Sequence, residues 1–213
     1  MTASCLQFDL RLRTGNYTVD ILIYIVVFSF FEYWDHRLLH TRPLWRLHRL
    51  HHSATEMNLL TTGRNHPALP IFEPLARVWV TALLATPLQF IVLWPVIHHT
   101  HQLLSHSRLN WNWGWFGNWV VISPAAHRIH HSAAPEHHNK NFSNFLTIWD
   151  HLFDTWSPPT GKPIQVGLVE EPSSPTAREL PLVVELAADL KQFAIDLRQS
   201  AAARFAPPGR PAP

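Results

Sequence analysis

Residues 19–52 have the sequence VDILIYIVVFSFFEYWDHRLLHTRPLWRLHRLHH, an apolar run that leads directly into a histidine-rich stretch. As a helix, residues 19–33 would cover only roughly 22 Å, but continuation through His40 reaches the ~30 Å of a bilayer's hydrocarbon core. The run starts late and opens with the acidic Asp20, which is untypical of a signal peptide. We therefore predict a membrane-spanning helix that delivers the histidines to the far side.

The composition of the whole chain supports this interpretation. The 213 residues suffice for one domain, and 17 Lys and Arg against 15 Asp and Glu give a net charge of +2, too small to indicate a nucleic-acid partner. Charged residues make up 15%, below the roughly 25% of soluble domains. The single cysteine, Cys5, excludes an internal disulfide and a cysteine-based metal site. The 16 histidines indicate a histidine metal site, because imidazole is the commonest metal ligand.

A second apolar region covers residues 68–105. Thr86-Pro87 is a suitable break within it, since proline favours the first turn of a new helix. Division there gives two helices of about 19 residues, each roughly 28 Å long, which predicts a transmembrane hairpin. The alternative is one tilted helix over residues 78–97.

The arginines predict the orientation. Those that flank the two apolar regions would mark the histidine-bearing face as cytoplasmic: Arg37, Arg42, Arg46, Arg49, Arg64, Arg108 and Arg128. Arg11 and Arg13 would then lie on the opposite side, which leaves the course of the N-terminus open.

The predicted fold class is all-α, an integral membrane helical protein with a transmembrane hairpin and a cytoplasm-facing, histidine-rich di-metal cap. We divide the chain into five parts: an N-terminal interfacial segment (1–18), the membrane domain (19–156), a proline-rich linker (157–177), an amphipathic helix (178–206) and a disordered tail (207–213). The amphipathic helix packs on its own domain in the first interpretation and lies on the membrane surface in the second.

Three clusters carry most of the chemistry: His36 with His40, His48 with His51 and His52, and His127 with His130 and His131. Spacings of three and four residues bring helical side chains to one face, so each cluster can act as a multidentate arm for a metal. A single HxxxH pair is more often an exposed helical pair, and one HxxHH can belong to a basic surface patch. Three such clusters beside apolar segments favour metal binding.

Eight imidazoles exceed the four ligands of a typical zinc ion, and they suit two ions with about four or five ligands each. We add His106 to the ligands. Four weaker candidates are ligands or groups that orient ligands, with capping or an ordinary polar loop as the alternative: His66, His101, His137 and His138. Glu32, Asp35 and Asp150 are further candidates for orienting ligand imidazoles, and Asp150 together with Trp149 is better suited to locking the last segment in place.

Several motifs in this order resemble the membrane-bound fatty acid hydroxylase and sterol desaturase superfamily. They are YWDHRLLH (33–40), LWRLHRLHHS (44–53), TGRNHP (62–67), SHS (105–107), SP (123–124), HRIHHS (127–132), NKNF (139–142) and WDHLFDT (149–155). The resemblance covers residues 20–156. The chain departs from the family pattern at Ser143 and Asp154, where glycine is usual, so we expect a strained backbone turn at both.

The resemblance implies a di-iron centre that uses O₂ and two electrons to hydroxylate or desaturate a lipid. It carries the ligand role to His36, His40, His48, His51, His52, His106, His127, His130 and His131. Zinc is a possible substitute for iron, because imidazole sites select poorly by affinity.

The sequence contains no GxGxxG fingerprint, so the electrons are expected from a separate cytochrome or ferredoxin. The competing hypothesis is a zinc-binding membrane protein without redox activity, either a transporter or a hydrolase. The histidines cluster at helix ends rather than mid-membrane, which favours the enzyme over a transporter.

Overall fold

A computed structural model describes residues 14–69, 80–82, 84, 88–168 and 182–205. The predicted break at Thr86-Pro87, most of the N-terminal segment and the tail lie outside the described residues. Within those ranges the chain is helical, with two isolated β-bridges, Val121 to Leu146 and Ser132 to Val166, and no strand. The all-α expectation is thus confirmed for the part of the chain that the structure describes.

Helix α1 extends over Tyr17–Leu39, so the predicted continuation of the apolar run towards His40 is confirmed. The Asn16 side chain caps it by accepting hydrogen bonds from the backbone N–H groups of Thr18 and Val19. Its 23 residues correspond to about 34 Å. By length and composition it is a candidate to cross a membrane.

Helix α3, Leu88–Ser105, packs against α1 through an apolar cluster that also includes residues of the preceding segment. The cluster consists of Tyr24, Phe28, Val80, Leu84, Phe90 and Trp94. The hydroxyl groups of Tyr24 and Thr81 lie 3.2 Å apart. Both helices also leave apolar side chains exposed: Leu22, Val26 and Phe31 on α1, and Val92, Leu93 and Val96 on α3. Large apolar side chains in such positions fit a lipid environment better than water.

The polar half of the chain consists of short elements. Helix α2 (Trp45–His52) and a 3-10 turn (Leu59–Gly63) follow α1, and after α3 come α4 (Gly114–Trp119), α5 (Pro124–His130), a second 3-10 turn (Pro135–His137) and α6 (Ile148–Leu152). The predicted linker is described as far as residue 168, and two backbone hydrogen bonds tie it to the end of α5: Ala133 N–H to the Gln165 carbonyl, 2.9 Å, and Gly167 N–H to the His131 carbonyl, 3.1 Å.

Helix α7, Leu182–Phe205, corresponds to the predicted amphipathic helix. It packs on α2, and polar groups mediate the contact: Arg46 Nε lies 3.4 Å from Asp196, and Arg49 donates to Asp189 at 3.0 Å. Val183, Leu190 and Leu197 remain exposed. The helix therefore packs on its own domain, with part of its apolar surface uncovered.

The two positions that depart from the glycine pattern behave differently. Asp154 has a φ of +56°, in the left-handed region that glycine occupies without strain, so the predicted strain is present there. Ser143 is not among the non-glycine residues with positive φ, and the expectation of strain at that position was wrong. Its backbone N–H donates to Asp150 at 2.9 Å, which holds the segment in an ordinary conformation.

We expect the substitution Asp154→Gly to stabilise the fold by about 0.5–1 kcal/mol, because the side chain is exposed and glycine removes the left-handed strain. Thermal unfolding in detergent would measure the shift. Gly161→Ala is the matched control. Gly161 has a φ of +70° and open space around its Cα, so a methyl group there should lower the melting temperature by a similar amount. An unchanged or lower melting temperature for Asp154→Gly would contradict the assignment of strain.

Candidate metal centre

Nine histidines converge in two buried groups. The first group contains His36, His40, His48, His52 and His130, and the second contains His51, His106, His127 and His131. Within each group one ring nitrogen of every residue lies within 4.8 Å of the others. Eight of these residues are buried and His40 is partly buried. Neither group includes a carboxylate.

Each HxxHH motif contributes to both groups. On α2, His48 and His52 are one turn apart and face the first group, whereas His51 faces the second. At α5, where His131 is the C-cap, the assignment is reversed, since His127 and His131 face the second group and His130 faces the first. In each motif the first and last histidines, four residues apart, therefore face the same group. The histidine three residues after the first faces the other group.

Backbone carbonyls fix the orientation of three imidazoles. His36, His106 and His130 each donate a hydrogen bond from Nδ1, to the carbonyl oxygens of Phe142 (2.8 Å), Gln102 (2.8 Å) and Lys140 (2.9 Å), respectively. In a neutral imidazole this places the proton on Nδ1 and leaves the Nε2 lone pair free. Three rings are therefore set to present a ligand atom.

The contacts within the second group fit a shared cation. His106 Nε2 lies 3.1 Å from His51 Nε2 and 3.0 Å from His127 Nε2. A neutral His106 that donates from Nδ1 has one Nε2 lone pair, which accepts one N–H well but not two. Nitrogens bound about 2.1 Å from a common ion lie roughly 3–3.4 Å apart, so a metal ion accounts for both contacts.

Orphaned nitrogen atoms point the same way. The Nε2 atoms of His40, His130 and His131 are buried and have no hydrogen-bond partner. A buried polar atom without a partner costs about 1–3 kcal/mol. Coordination would remove that cost, so the donor set fits a metal that prefers nitrogen ligands.

Burial also determines the protonation of the imidazoles. Desolvation lowers the pKa of His52 and His131 well below the usual value, and neighbouring imidazoles lower each pKa further. His48 and His127 show the same direction for the same causes. These rings are therefore held neutral, the form in which histidine binds metals.

The structure does not bring His66, His101, His137 or His138 into either group. His66 accepts from the Ala68 N–H at 3.1 Å, and His101 donates from Nε2 to the Ile122 carbonyl at 2.9 Å. His137 Nδ1 lies 2.9 Å from the Ser132 hydroxyl, and His138 is exposed. The contact of His66 with Ala68 is thus local, whereas the His101 contact joins α3 to the segment before α5.

Two acidic candidates have different surroundings. Asp150 is fully buried, and it accepts hydrogen bonds from the N–H groups of Phe142 (2.8 Å) and Ser143 (2.9 Å) and from the Thr155 hydroxyl (2.7 Å). It thereby fixes the segment whose Phe142 carbonyl orients His36. Burial raises the pKa of Asp150, and these hydrogen bonds oppose the rise. Glu32 Oε2 instead lies 3.0 Å from His98 Nε2 on α3. The distance is that of an ion pair, but the angles do not meet those of a hydrogen bond.

The main orienting groups were absent from the sequence-based candidates. The carbonyls of Phe142, Gln102 and Lys140 orient ligand rings, but backbone acceptors leave no mark in a sequence. A tryptophan-rich stretch forms α4 and the residues just before it, and its Trp111, Trp115 and Trp119 side chains are exposed.

In the part of the chain that the structure describes, an apolar α1–α3 pair that includes a candidate membrane helix lies beside two all-histidine groups that could each hold a metal ion. The model of the fatty acid hydroxylase family matches residues 21–155. The chain therefore belongs to the fatty acid hydroxylase family, as the motifs predicted.

The chain is similar to several characterised proteins. It is 30% identical over 151 residues to the ornithine lipid hydroxylase of Rhizobium tropici, covering 70% of this chain and 45% of the relative. It is 30% identical over 138 residues to the alkylglycerol monooxygenase of Danio rerio (62% and 29%) and 28% identical over 141 residues to the methylsterol monooxygenase 2-2 of Arabidopsis thaliana (65% and 52%). The chain thus spans less than half the length of the first two. No solved structure matches it.

We expect Asp150→Asn to destabilise the protein by about 1–3 kcal/mol. Both carboxylate oxygens accept hydrogen bonds, and an amide keeps only one acceptor oxygen while its NH₂ group faces a donor. Thermal unfolding in detergent measures the effect. Asp154→Asn is the matched control, because its carboxylate is exposed and asparagine tolerates positive φ. Equal melting temperatures for the two variants would contradict the role given to Asp150.

Proposed function

We propose that this chain is a membrane-bound di-iron oxidoreductase that uses O₂ to hydroxylate or desaturate a lipid. The carrying observation is the pair of buried all-histidine groups in a chain of the fatty acid hydroxylase family. The names of the relatives support a lipid substrate, since they include a lipid hydroxylase, an alkylglycerol monooxygenase and a methylsterol monooxygenase. The family and these names favour this function over a zinc protein without redox activity.

In this proposal each histidine group holds one iron ion, and the nine grouped histidines are the ligands. Bound iron would supply the reduction of O₂ and the oxidation of an unactivated C–H bond. The chain's own part is to hold the imidazoles neutral, to fix the Nδ1 protons of three rings on carbonyl oxygens and to exclude water by burial. His66, His101, His137 and His138 remain outside the coordination shell.

The overall reaction requires electrons and protons from outside. Hydroxylation combines the lipid C–H, O₂, two electrons and two protons into an alcohol and water. Desaturation removes two hydrogens from the lipid and reduces the same O₂ to two waters with the same supply. We assign the electrons to a separate carrier of the cytochrome or ferredoxin type, because the sequence has no nucleotide fingerprint.

The topology we propose has α1 as one span and residues 68–105 as a hairpin whose second arm is α3. The apolar contact of Val80 and Leu84 with α1 and α3 supports the first arm. The excess of arginine around the histidines supports a cytoplasmic metal centre. We also propose the domain boundaries expected from the sequence, at residues 18, 156, 177 and 206, with residues 19–156 as the catalytic membrane domain.

The direct test of the function is expression in a host of defined lipid composition, followed by mass spectrometry of the lipids and metal analysis of the purified protein. We expect lipids with one added oxygen or two fewer hydrogens, and about two metal ions per chain, iron in active preparations. Zinc can replace iron on overexpression. A well-folded preparation with about one ion per chain would contradict the two-ion site, and unaltered lipids with iron, O₂ and reductant present would contradict the activity.

The ligand set is tested by a matched pair of histidines. His131→Ala should abolish oxidation and lower the metal content without affecting membrane insertion, which depends on α1 and the hairpin. His151→Ala should retain most of both, because His151 lies outside the two groups, donates to the Asn118 carbonyl at 2.8 Å and stacks on Trp119. Full metal content in His131→Ala, or equal metal loss in His151→Ala, would show that the ligand set is wrong.

A further inference from the structure

Helix α7 lies beyond the segment that matches the family model, yet it contacts the helix that carries three of the nine grouped histidines. The contact is made by two ion pairs: Arg49 Nη1 lies 3.0 Å from Asp189 Oδ1, and Arg46 Nε lies 3.4 Å from Asp196 Oδ2. Gln192 donates to the other oxygen of Asp196 at 2.9 Å. A polar edge of α7 thus covers α2.

Helix α2 needs such a cover. It has eight residues and no side-chain cap at its N-terminus. Isolated helices shorter than about 12 residues are marginal in water, so α2 depends on contacts with other elements. His48, His51 and His52 are buried, whereas Arg46 and Arg49 are only partly buried, with 32% and 24% of their side chains exposed. The arginines therefore fix the helix from outside the metal groups.

The acidic side of the contact is buried more deeply than the basic side. Asp189 and Asp196 are only 4% and 5% exposed and lie seven residues apart, on the same face of α7. Aspartate is rarely buried to this degree without a partner. The partners supplied are the two arginines of α2, so the pairing fixes the register of α7 against that helix.

We propose that α7 is a clamp on α2, and that Asp189 and Asp196 are positioning residues that direct His48, His51 and His52 into the two metal groups. The metal part of this inference rests on the proposed function. The clamp acts on both groups, because α2 contributes to each of them.

The test is a titration of the whole chain in detergent with Co²⁺, in competition with a chelator. The visible absorption of bound Co²⁺ reports binding. We expect the double variant Asp189→Asn, Asp196→Asn to bind Co²⁺ about tenfold more weakly or worse, as when support of metal ligands is lost. The pairwise exchange Asp189→Arg with Arg49→Asp should bind more tightly than either of its single substitutions. Far-UV circular dichroism and gel filtration confirm that each variant is folded.

Two controls separate positioning from general stability. Lys191→Gln with Arg198→Gln removes two charges from exposed positions of α7 and should leave Co²⁺ affinity unchanged. Gly161→Ala lowers stability away from α2 and should also leave it unchanged. Wild-type Co²⁺ affinity in the double aspartate variant would overturn the clamp alone. The same holds if the exchanged pair binds Co²⁺ no more tightly than its single substitutions. A wild-type protein that takes up no Co²⁺ would overturn the metal centre and the clamp with it.

Discussion

The cost of burying imidazole nitrogens without partners constrains the whole polar half of this protein. Nine rings meet in two groups, and several of their nitrogens have no protein partner. In water each nitrogen would be hydrated at no cost, whereas in the fold each orphan costs about 1–3 kcal/mol. A chain that accepts this cost several times over requires a compensating ligand, and the close Nε2 contacts around His106 fit a shared cation better than further hydrogen bonds.

The elements that present these rings are short, and each is fixed by a different means. Helix α5 has seven residues, and the Ser123 side chain caps it while Pro124 occupies its first turn. Helix α2 has eight residues and no side-chain cap, so tertiary contacts must hold it. Helix α1 needs no such help, because its long apolar segment precedes His36. The positions of the histidines in the two groups thus depend on helix capping, on tertiary packing and on the long helix α1 together.

The sequence alone predicted the helical class, the length of α1 and the clusters of histidines that share a helix face, because three- and four-residue spacings have a direct geometric meaning on a helix. It did not predict how each HxxHH motif divides between the groups. His51 lies about one-sixth of a turn from His48 and a little over a quarter turn from His52. Which histidine group a ring faces therefore depends on how α2 and α5 pack, and pairs such as His51 and His106 are 55 residues apart. The role of the Phe142 carbonyl in orienting His36 could not be predicted either, because every residue has a backbone carbonyl.

The ion pairs between α7 and α2 add little stability, but they favour one arrangement of the two helices. Arg46 and Arg49 keep about a quarter to a third of their side chains exposed, so solvent screens the attraction and each pair contributes at most about 1 kcal/mol to stability. Removal of either arginine, however, would leave a carboxylate of low exposure without its cation, which is less favourable than the intact pair. The pairs therefore disfavour other registers of α7 on α2, although they stabilise the correct one only slightly. Such discrimination is what a metal centre requires of its surroundings, because the ligands must be held in one orientation even where little net stability is gained.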